Sequence, residues 1–200
     1  MEQIRSFIAI ELPEKLKLEL VRLQDRLQQR PQPWIKWVDP QGIHLTLKFL
    51  GNIGANKIAP ITGAMEAAVR GIPPFRLELS NLGAFPNLKR VQVIWVGVGG
   101  EIDRLRQLQQ RLEANLVPLG FSAEAREFTA HLTLARLRNQ ATPDERNRLG
   151  QLVAATRFET AQTIEVENIN LMKSQLTREG AIYSKISSVG LNKPLSTGTG

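Results

Sequence analysis

The tetrapeptide HLTL at residues 44–47, within HLTLKFLG, recurs at residues 131–134, within FTAHLTLARL. The chain has two histidines, and each of them opens one copy of this HLTL motif. Side chains alternate between the two faces of a β-strand. Each histidine should therefore share a face with the threonine two residues later, while the two leucines face a hydrophobic core. The pattern predicts two strands that present a histidine and a threonine to the same side.

The segments around the two motifs alternate between predicted strands and predicted helices. Period-two patterns and apolar runs predict strands at 6–12, 42–51, 75–85, 90–98, 128–137, 163–176 and 181–189. Apolar residues at steps of three and four predict helices from Pro13 to about residue 27, at 56–70, at 101–117 and from about 143 to 156. The last of these helices has a capping-box start at Thr142-Pro143-Asp144-Glu145.

Several strand pairs are joined too tightly for a parallel crossover, such as the pair that flanks 177–180. We therefore expect an α+β fold with largely antiparallel sheets. The order strand, helix, HLTL strand occurs twice, which predicts two related lobes that face each other across a cleft, with helices on the outside. Residues 1–190 should form one two-lobed domain, and the small, polar segment 191–200 should be loosely held.

The composition narrows the class of partner. Lys plus Arg is 26 and Asp plus Glu is 19, which gives a net charge of +7 and favours a polyanion, nucleic acid first. The absence of cysteine excludes disulfides, thiolate catalysis and cysteine-ligated zinc. The N-terminal apolar run is too short for a signal peptide, and no run reaches the length of a membrane span. These features predict a cytoplasmic protein that does not bind membranes.

Two matched histidines restrict the chemistry. A zinc site needs three or four ligands, and the chain offers two histidines and no cysteine, so we expect no metal and no cofactor. A Ser-His-Asp triad needs one histidine, and no GxSxG motif is present. Acid–base chemistry on a phosphate, by contrast, uses two histidines. One imidazole accepts a proton from the nucleophile, and the other protonates the leaving oxygen. Thr46 and Thr133 could then hold the phosphate oxygens.

Paired H-x-T/S-x strands resemble the two-histidine (2H) phosphoesterases, and the chain is most similar to their RNA 2′,3′-cyclic phosphodiesterase branch, also called 2′-5′ RNA ligases. The resemblance extends over most of the chain, from SFIAIELP through both motifs to SQLTREGAIYSKI. It implies metal-free hydrolysis of a terminal 2′,3′-cyclic phosphate to a 2′-phosphate. It further implies that His44 is the proton donor, His131 the base, and Thr46 and Thr133 the phosphate-holding hydroxyls. One departure is Ala130, where the family often has proline.

The resemblance also matches Arg136 to a phosphate-contacting arginine. Strict alternation would place Arg136 on the face opposite His131, so this role requires a bulge or the end of the strand. Lys48 shares parity with His44 and could approach the anion, although a surface lysine is the commoner outcome. Phe49 and Phe128 could stack a base, but core packing is the more frequent role of such residues.

Two alternatives to RNA 2′,3′-cyclic phosphate hydrolysis stay open. One is another 2H activity, on 2′-5′ oligonucleotides or small cyclic nucleotides. The other is a module that binds RNA ends without turnover, although phosphate binding alone more naturally uses lysine and arginine. We expect RNA with a 2′,3′-cyclic phosphate end to be the partner of a monomeric protein that needs no protein partner.

Overall fold

The computed structural model describes residues 3–28, 32–177 and 180–191. Within these ranges the chain forms nine strands and four α-helices. The strands are β1 (Gln3–Glu11), β2 (Ile35–Trp37), β3 (His44–Gly54), β4 (Phe75–Phe85), β5 (Val93–Gly100), β6 (His131–Leu137), β7 (Thr163–Val166), β8 (Asn168–Leu176) and β9 (Ala181–Gly190). The helices are α1 (Glu14–Leu27), α2 (Ile58–Val69), α3 (Ile102–Leu116) and α4 (Pro143–Ala155).

The strands form two sheets. Sheet 1 has the order β3-β1-β8-β9 and sheet 2 has the order β2-β6-β5-β4-β7. The described strand pairs are all antiparallel. The two HLTL strands, β3 and β6, lie in different sheets and contact each other. The predicted α+β fold with two mainly antiparallel sheets is therefore confirmed, and one motif belongs to each lobe.

The helices cover the outer sides of the two sheets, and two of them tie the lobes together. Helix α1 follows β1 of sheet 1, but its buried Gln24 donates hydrogen bonds to the carbonyls of Val38 and Leu134 in the other lobe, at 2.8 and 3.1 Å. Helix α3 follows β5 of sheet 2 and packs against β3 of sheet 1. Leucines of both motifs enter the same hydrophobic core, so the two lobes fold around shared apolar contacts.

Two strand predictions require correction. The segment 163–176 is not one strand, because β7 pairs with β4 in sheet 2 whereas β8 pairs with β1 and β9 in sheet 1. The chain changes sheets at Glu167, whose carbonyl accepts a hydrogen bond from Leu191. The short edge strand β2 was not predicted either, since the prolines around Trp34 indicate a break.

The turn between β8 and β9 and the C-terminal segment lie partly outside the described residues. Strands β8 and β9 pair as the hairpin signal predicts, and the Thr177 N–H donates to the Gly180 carbonyl at 2.7 Å, while residues 178–179 lie outside. Of the segment 191–200, predicted to be loosely held, Leu191 is buried in the core and residues 192–200 lie outside. No helix in the described ranges is long and apolar enough to cross a membrane.

Helix α4 packs closely against the turn between β4 and β5 at Gly150. A β-carbon at this position would overlap the Leu88 carbonyl, which is backbone and cannot rotate away. Gly63 in α2 is exposed, and a β-carbon there would meet nothing. Alanine usually stabilises a helix by about 0.5–1 kcal/mol relative to glycine, whereas overpacking costs about 1–3 kcal/mol.

We expect Gly150→Ala to destabilise the protein and Gly63→Ala to stabilise it, although both substitutions improve helix propensity equally. Denaturant unfolding of the two variants beside the wild-type protein measures this difference. Equal free energies of unfolding for the two variants would show that the approach of α4 to Leu88 is not tight.

Candidate active site

Both HLTL strands contain a β-bulge at the same place in the motif. In β3, Thr46 lies opposite Ala9 and Lys48 lies opposite Ile8, so that Leu47 is the extra residue. In β6, Thr133 lies opposite Trp95 and Ala135 lies opposite Ile94, so that Leu134 is the extra residue. In each strand the extra leucine and the residue after it are both buried. The two lobes therefore repeat the bulge as well as the sequence.

The bulge reverses the alternation of side chains beyond each motif. Arg136 lies opposite Val93, two residues from the Trp95 that lies opposite Thr133. Because opposite residues share a face, and residues two apart on β5 share a face, Arg136 lies on the same face as Thr133. The bulge that a role for Arg136 requires is thus present, and the exposed Arg136 side chain is on the correct side of the sheet.

The two imidazole rings are held in the same way. His44 Nδ1 lies 2.7 Å from the Gly42 carbonyl oxygen, and His131 Nδ1 lies 2.6 Å from the Thr129 carbonyl oxygen. A carbonyl only accepts hydrogen bonds, so each Nδ1 carries the proton and donates it. Nε2 of each neutral ring can then accept a proton, and the resulting imidazolium can give that proton up again. Both histidines are half-buried and have one ring nitrogen left for chemistry.

Aromatic side chains pack against both histidines. The His44 ring stacks on Phe7 at a centroid distance of 4.5 Å and meets the edge of Tyr183 at 5.0 Å. The His131 ring makes an edge contact with Phe85 at 5.0 Å, and the Trp95 ring lies 6.3 Å away. These contacts restrict both rings and reduce their access to water. Sequence reasoning missed these aromatic contacts, because the residues come from other strands.

Burial is the largest influence on the pKa of each histidine, and it favours the neutral ring. It lowers the pKa of His44, while the Gly42 carbonyl and the Glu11 carboxylate act in the opposite direction. It lowers the pKa of His131 as well, where the Thr129 carbonyl opposes the effect and the positive charge of Arg136 adds to it. The two rings therefore differ in the sign of the neighbouring charge, which is negative beside His44 and positive beside His131.

Lys48 does not lie on the site's face, and it is not a surface lysine either. The bulge turns it toward helix α3, where its side chain is 3% exposed and its ammonium lies 2.9 Å from the Glu113 carboxylate. The same ammonium donates to the Ser122 carbonyl at 2.7 Å and lies 3.6 Å from Glu124. Lys48 thus joins α3 to β3, and the suggestion that it approaches the anion is wrong.

The two phenylalanines considered for base stacking differ in exposure. Phe49 is 60% exposed and lies opposite Phe7, on the face of Thr46, so the expectation of core packing is wrong for it. Phe128 is half-buried and packs against the main core. Thr46 and Thr133 are both half-buried, as strand positions beside a cleft should be. Across the described residues, no group of three or more His, Asp or Glu side chains is arranged to hold a metal ion.

Curated proteins align with almost the whole chain. The RNA 2′,3′-cyclic phosphodiesterase of Aeropyrum pernix is 37% identical over 84% of this chain and 92% of its own length. The RNA 2′,3′-cyclic phosphodiesterase of Methanothermobacter thermautotrophicus is 32% identical over 91% of this chain and 96% of its own length.

Solved structures agree in fold. A protein of Thermus thermophilus superposes with a TM-score of 0.75 at 27% identity, covering 95% of this chain and 99% of its own. The apo form of Escherichia coli LigT superposes with a TM-score of 0.73 at 25% identity, covering 96% of this chain and 100% of its own.

The sequence model of the LigT-like phosphoesterase family matches the chain twice, over residues 10–95 and over residues 96–183. Each match contains one HLTL motif, in agreement with the predicted repeat. Together the two matches cover most of the chain, and the relatives at 30% identity or more extend over nearly all of it. The chain belongs to the LigT-like phosphoesterase family.

Proposed function

We propose that this protein hydrolyses RNA 2′,3′-cyclic phosphate ends to 2′-phosphates by metal-free acid–base catalysis. The observation that carries the proposal is the equivalent setting of His44 and His131, each fixed through Nδ1 and left with Nε2 for proton transfer. The names of the curated relatives support the substrate class. One pre-oriented imidazole in each lobe suits a displacement whose attacking and leaving oxygens lie on opposite sides of phosphorus.

In this mechanism His131 Nε2 accepts a proton from water as the water oxygen bonds to phosphorus. The bond between phosphorus and the 3′ oxygen breaks, and His44 Nε2 donates its proton to that oxygen. The products are a 2′-phosphate and a free 3′-hydroxyl, and no oxidant or metal is required. Thr46, Thr133 and Arg136 donate hydrogen bonds to the non-bridging oxygens, where charge is stabilised in the transition state.

The charges beside the two rings support this assignment of roles. Glu11 lies opposite His44 across the β1–β3 ladder, and its carboxylate also accepts from Asn170 at 3.0 Å and pairs with Lys185 at 2.6 Å. A negative neighbour favours a protonated His44, as a general acid requires. The positive neighbour Arg136 favours a neutral His131, as a general base requires.

The pH dependence of kcat/KM tests these roles. We expect a bell-shaped profile displaced toward acid pH, because burial lowers the pKa of both histidines. Glu11→Gln should lower the pKa of His44 further. If His44 is the acid, kcat/KM then falls on the alkaline side of the optimum and is unchanged on the acid side. A rise on the acid side, with no change on the alkaline side, would reverse the two roles.

Chelation tests the metal-free form of the mechanism. We expect turnover to be unchanged in excess EDTA, because each Nδ1 is engaged by a carbonyl and both Nε2 atoms are assigned to proton transfer. The measurement is the hydrolysis rate of dialysed protein with and without the chelator. Loss of turnover that a divalent ion restores would contradict the proposal.

The function itself is tested with an oligonucleotide that ends in a 2′,3′-cyclic phosphate. We expect the product to be the 2′-monophosphate, identified by its resistance to a 3′-specific phosphatase and by mass. Faster turnover of 2′-5′ oligonucleotides or cyclic mononucleotides would favour another 2H activity. Binding of the cyclic end without product would favour the non-catalytic module. Size-exclusion chromatography at working concentration tests the expectation of a monomer.

A further inference from the structure

Five exposed cations lie together at one end of sheet 2, next to the site. Lys36 on β2 is directly opposite Arg136 on β6. Arg138 follows β6, and its N–H donates to the Trp34 carbonyl at 2.8 Å, which keeps this segment beside the start of β2. Lys89 and Arg90 occupy the turn between β4 and β5, at the same end of the sheet. We call these five residues the basic ridge.

Helix α4 holds the parts of the ridge in place. The Arg146 guanidinium donates to the Val91 carbonyl at 2.7 Å and to the Arg138 carbonyl at 3.1 Å, so that it joins the β4–β5 turn to the segment after β6. The close contact of Gly150 with Leu88 fixes the same turn. The ridge is therefore a defined surface and not a set of independent loops.

The ridge has no acidic residue within its own segments. The stretches 32–38, 79–100 and 128–143, which contain the five cations, have no aspartate or glutamate, and the nearest acids along the chain at this end are Asp144 and Glu145 of α4. None of the five side chains is ion-paired with a residue in the described ranges. Elsewhere, by contrast, Lys48, Arg76 and Lys185 are paired with carboxylates. An unneutralised cluster of this kind attracts a polyanion.

An apolar hollow of about 580 Å³ adjoins the ridge, since Lys89 forms part of its lining. Its lining includes Trp95, which lies opposite Thr133, and Leu88 and Lys89 of the turn. The Trp95 ring lies across Gly83, where a β-carbon would overlap it, so the small residue allows the ring its place. An aromatic ring beside cations is typical of sites that bind single-stranded nucleic acid. In such sites aromatic rings stack on bases, and lysine or arginine contacts phosphates.

We propose that the basic ridge binds the RNA chain on the 5′ side of the cyclic phosphate, and that oligonucleotides are therefore better substrates than mononucleotides. This inference rests on the proposed function. Beyond Thr133, Arg136 follows at an interval of two ladder positions, about 7 Å, and Arg138 comes two residues later, just past the end of β6. That interval is comparable with the separation of neighbouring phosphates in an extended single strand. The ridge thus continues the phosphate-binding face away from the reacting end.

The test compares one cyclic mononucleotide with a dinucleotide and a tetranucleotide that carry the same 2′,3′-cyclic end. We expect kcat/KM to rise with length in the wild-type protein and to fall with salt more steeply for the tetranucleotide. Two double variants, Lys36→Gln/Arg138→Gln and Lys89→Gln/Arg90→Gln, should each lower kcat/KM for the tetranucleotide by roughly 4- to 25-fold, or two- to five-fold for each charge removed. The mononucleotide rate should not change.

The matched control is Lys15→Gln/Arg70→Gln, which removes the same charge from exposed positions at α1 and just after α2. We expect it to leave both substrates unaffected. An equal loss of kcat/KM in the control and ridge variants would show that only the net charge of the protein matters. A wild-type kcat/KM that does not depend on the length of the substrate would overturn the proposal.

Fluorescence anisotropy with the labelled tetranucleotide separates this proposal from the proposed function. If no cyclic phosphate is hydrolysed but the ridge variants still bind the tetranucleotide more weakly than the control does, the function is wrong and the ridge is right. Equal binding by the ridge and control variants would exclude the ridge whatever the outcome of the hydrolysis assay.

Discussion

His44→Ala and His131→Ala are each expected to reduce hydrolysis of a cyclic-phosphate end by about 10²–10⁴-fold, or roughly 3–5 kcal/mol of activation free energy. The reason is geometric: each ring is fixed through Nδ1 by a carbonyl, so its Nε2 carries the whole of the proposed proton transfer. In the proposed mechanism both rings act on one transition state. The double variant should therefore be little slower than either single variant.

Alanine also removes the aromatic packing of each ring, so a second substitution is needed to separate chemistry from structure. In His44→Asn and His131→Asn the amide nitrogen occupies nearly the position of Nδ1 and can still donate to the carbonyl of Gly42 or Thr129. Asparagine has no group that transfers a proton at the position of Nε2. If the histidines are catalytic, the asparagine variants should be as inactive as the alanine variants.

Single-turnover cleavage of a cyclic-phosphate oligonucleotide measures these rates, with circular dichroism and thermal unfolding as controls of the fold. Recovery of activity in an asparagine variant would mean that the ring only positions its strand. Near-wild-type rates in either alanine variant would remove that histidine from the mechanism.

The parts of the fold that depend on local pattern were predictable from the sequence. The stripe of leucines in α1 is buried as its spacing indicates, and Thr142 and Glu145 form the predicted capping box at α4. The alternation inside each HLTL motif holds as far as the threonine, which is enough to place a histidine and a threonine on one face. Each of these features depends on residues within about one helical turn or one short strand of each other.

The features that depend on a partner strand were not predictable in the same way. A bulge exists only relative to the strand opposite, so nothing within HLTLK or HLTLA marks Leu47 or Leu134 as the extra residue. The bulge in β3 accounts for the buried position of Lys48, and the bulge in β6 accounts for the accessible face of Arg136. The division of 163–176 into β7 and β8 has a similar origin, because the apolar pattern continues while the chain passes from one sheet to the other.

The aromatic contacts around the histidines were also not predictable from the sequence, because they join residues that are far apart along the chain. Phe7 and Tyr183 meet at His44, and Phe85 and Trp95 meet beside His131, although each pair comes from two different strands. The sequence singled out the two histidines because the HLTL repeat is local. It could not identify their neighbours, because those are selected by strand order and register.

Replacement of the motif threonines is expected to have the second-largest effect. Thr46→Val and Thr133→Val keep the β-branched shape that suits a strand but lose the hydroxyl. In the proposed mechanism each substitution removes one hydrogen bond to a charged phosphate, which corresponds to about 1.5–3 kcal/mol, or roughly 10- to 150-fold in kcat/KM. Thr46→Ser and Thr133→Ser keep the hydroxyl and should stay close to the wild-type rate. Equal losses in the valine and serine variants would point to packing instead of hydrogen bonding.

The two threonines should not be equivalent, because the lobes differ beyond the bulge. Arg136 lies on the face of Thr133. In the proposed mechanism it still donates to the phosphate when that hydroxyl is lost. The corresponding residue in the other lobe is Phe49, which has no donor to offer. We therefore expect Thr46→Val to lower kcat/KM more than Thr133→Val does. In an Arg136→Gln background, the loss caused by Thr133→Val should increase toward the Thr46→Val value, while the loss caused by Thr46→Val should change little.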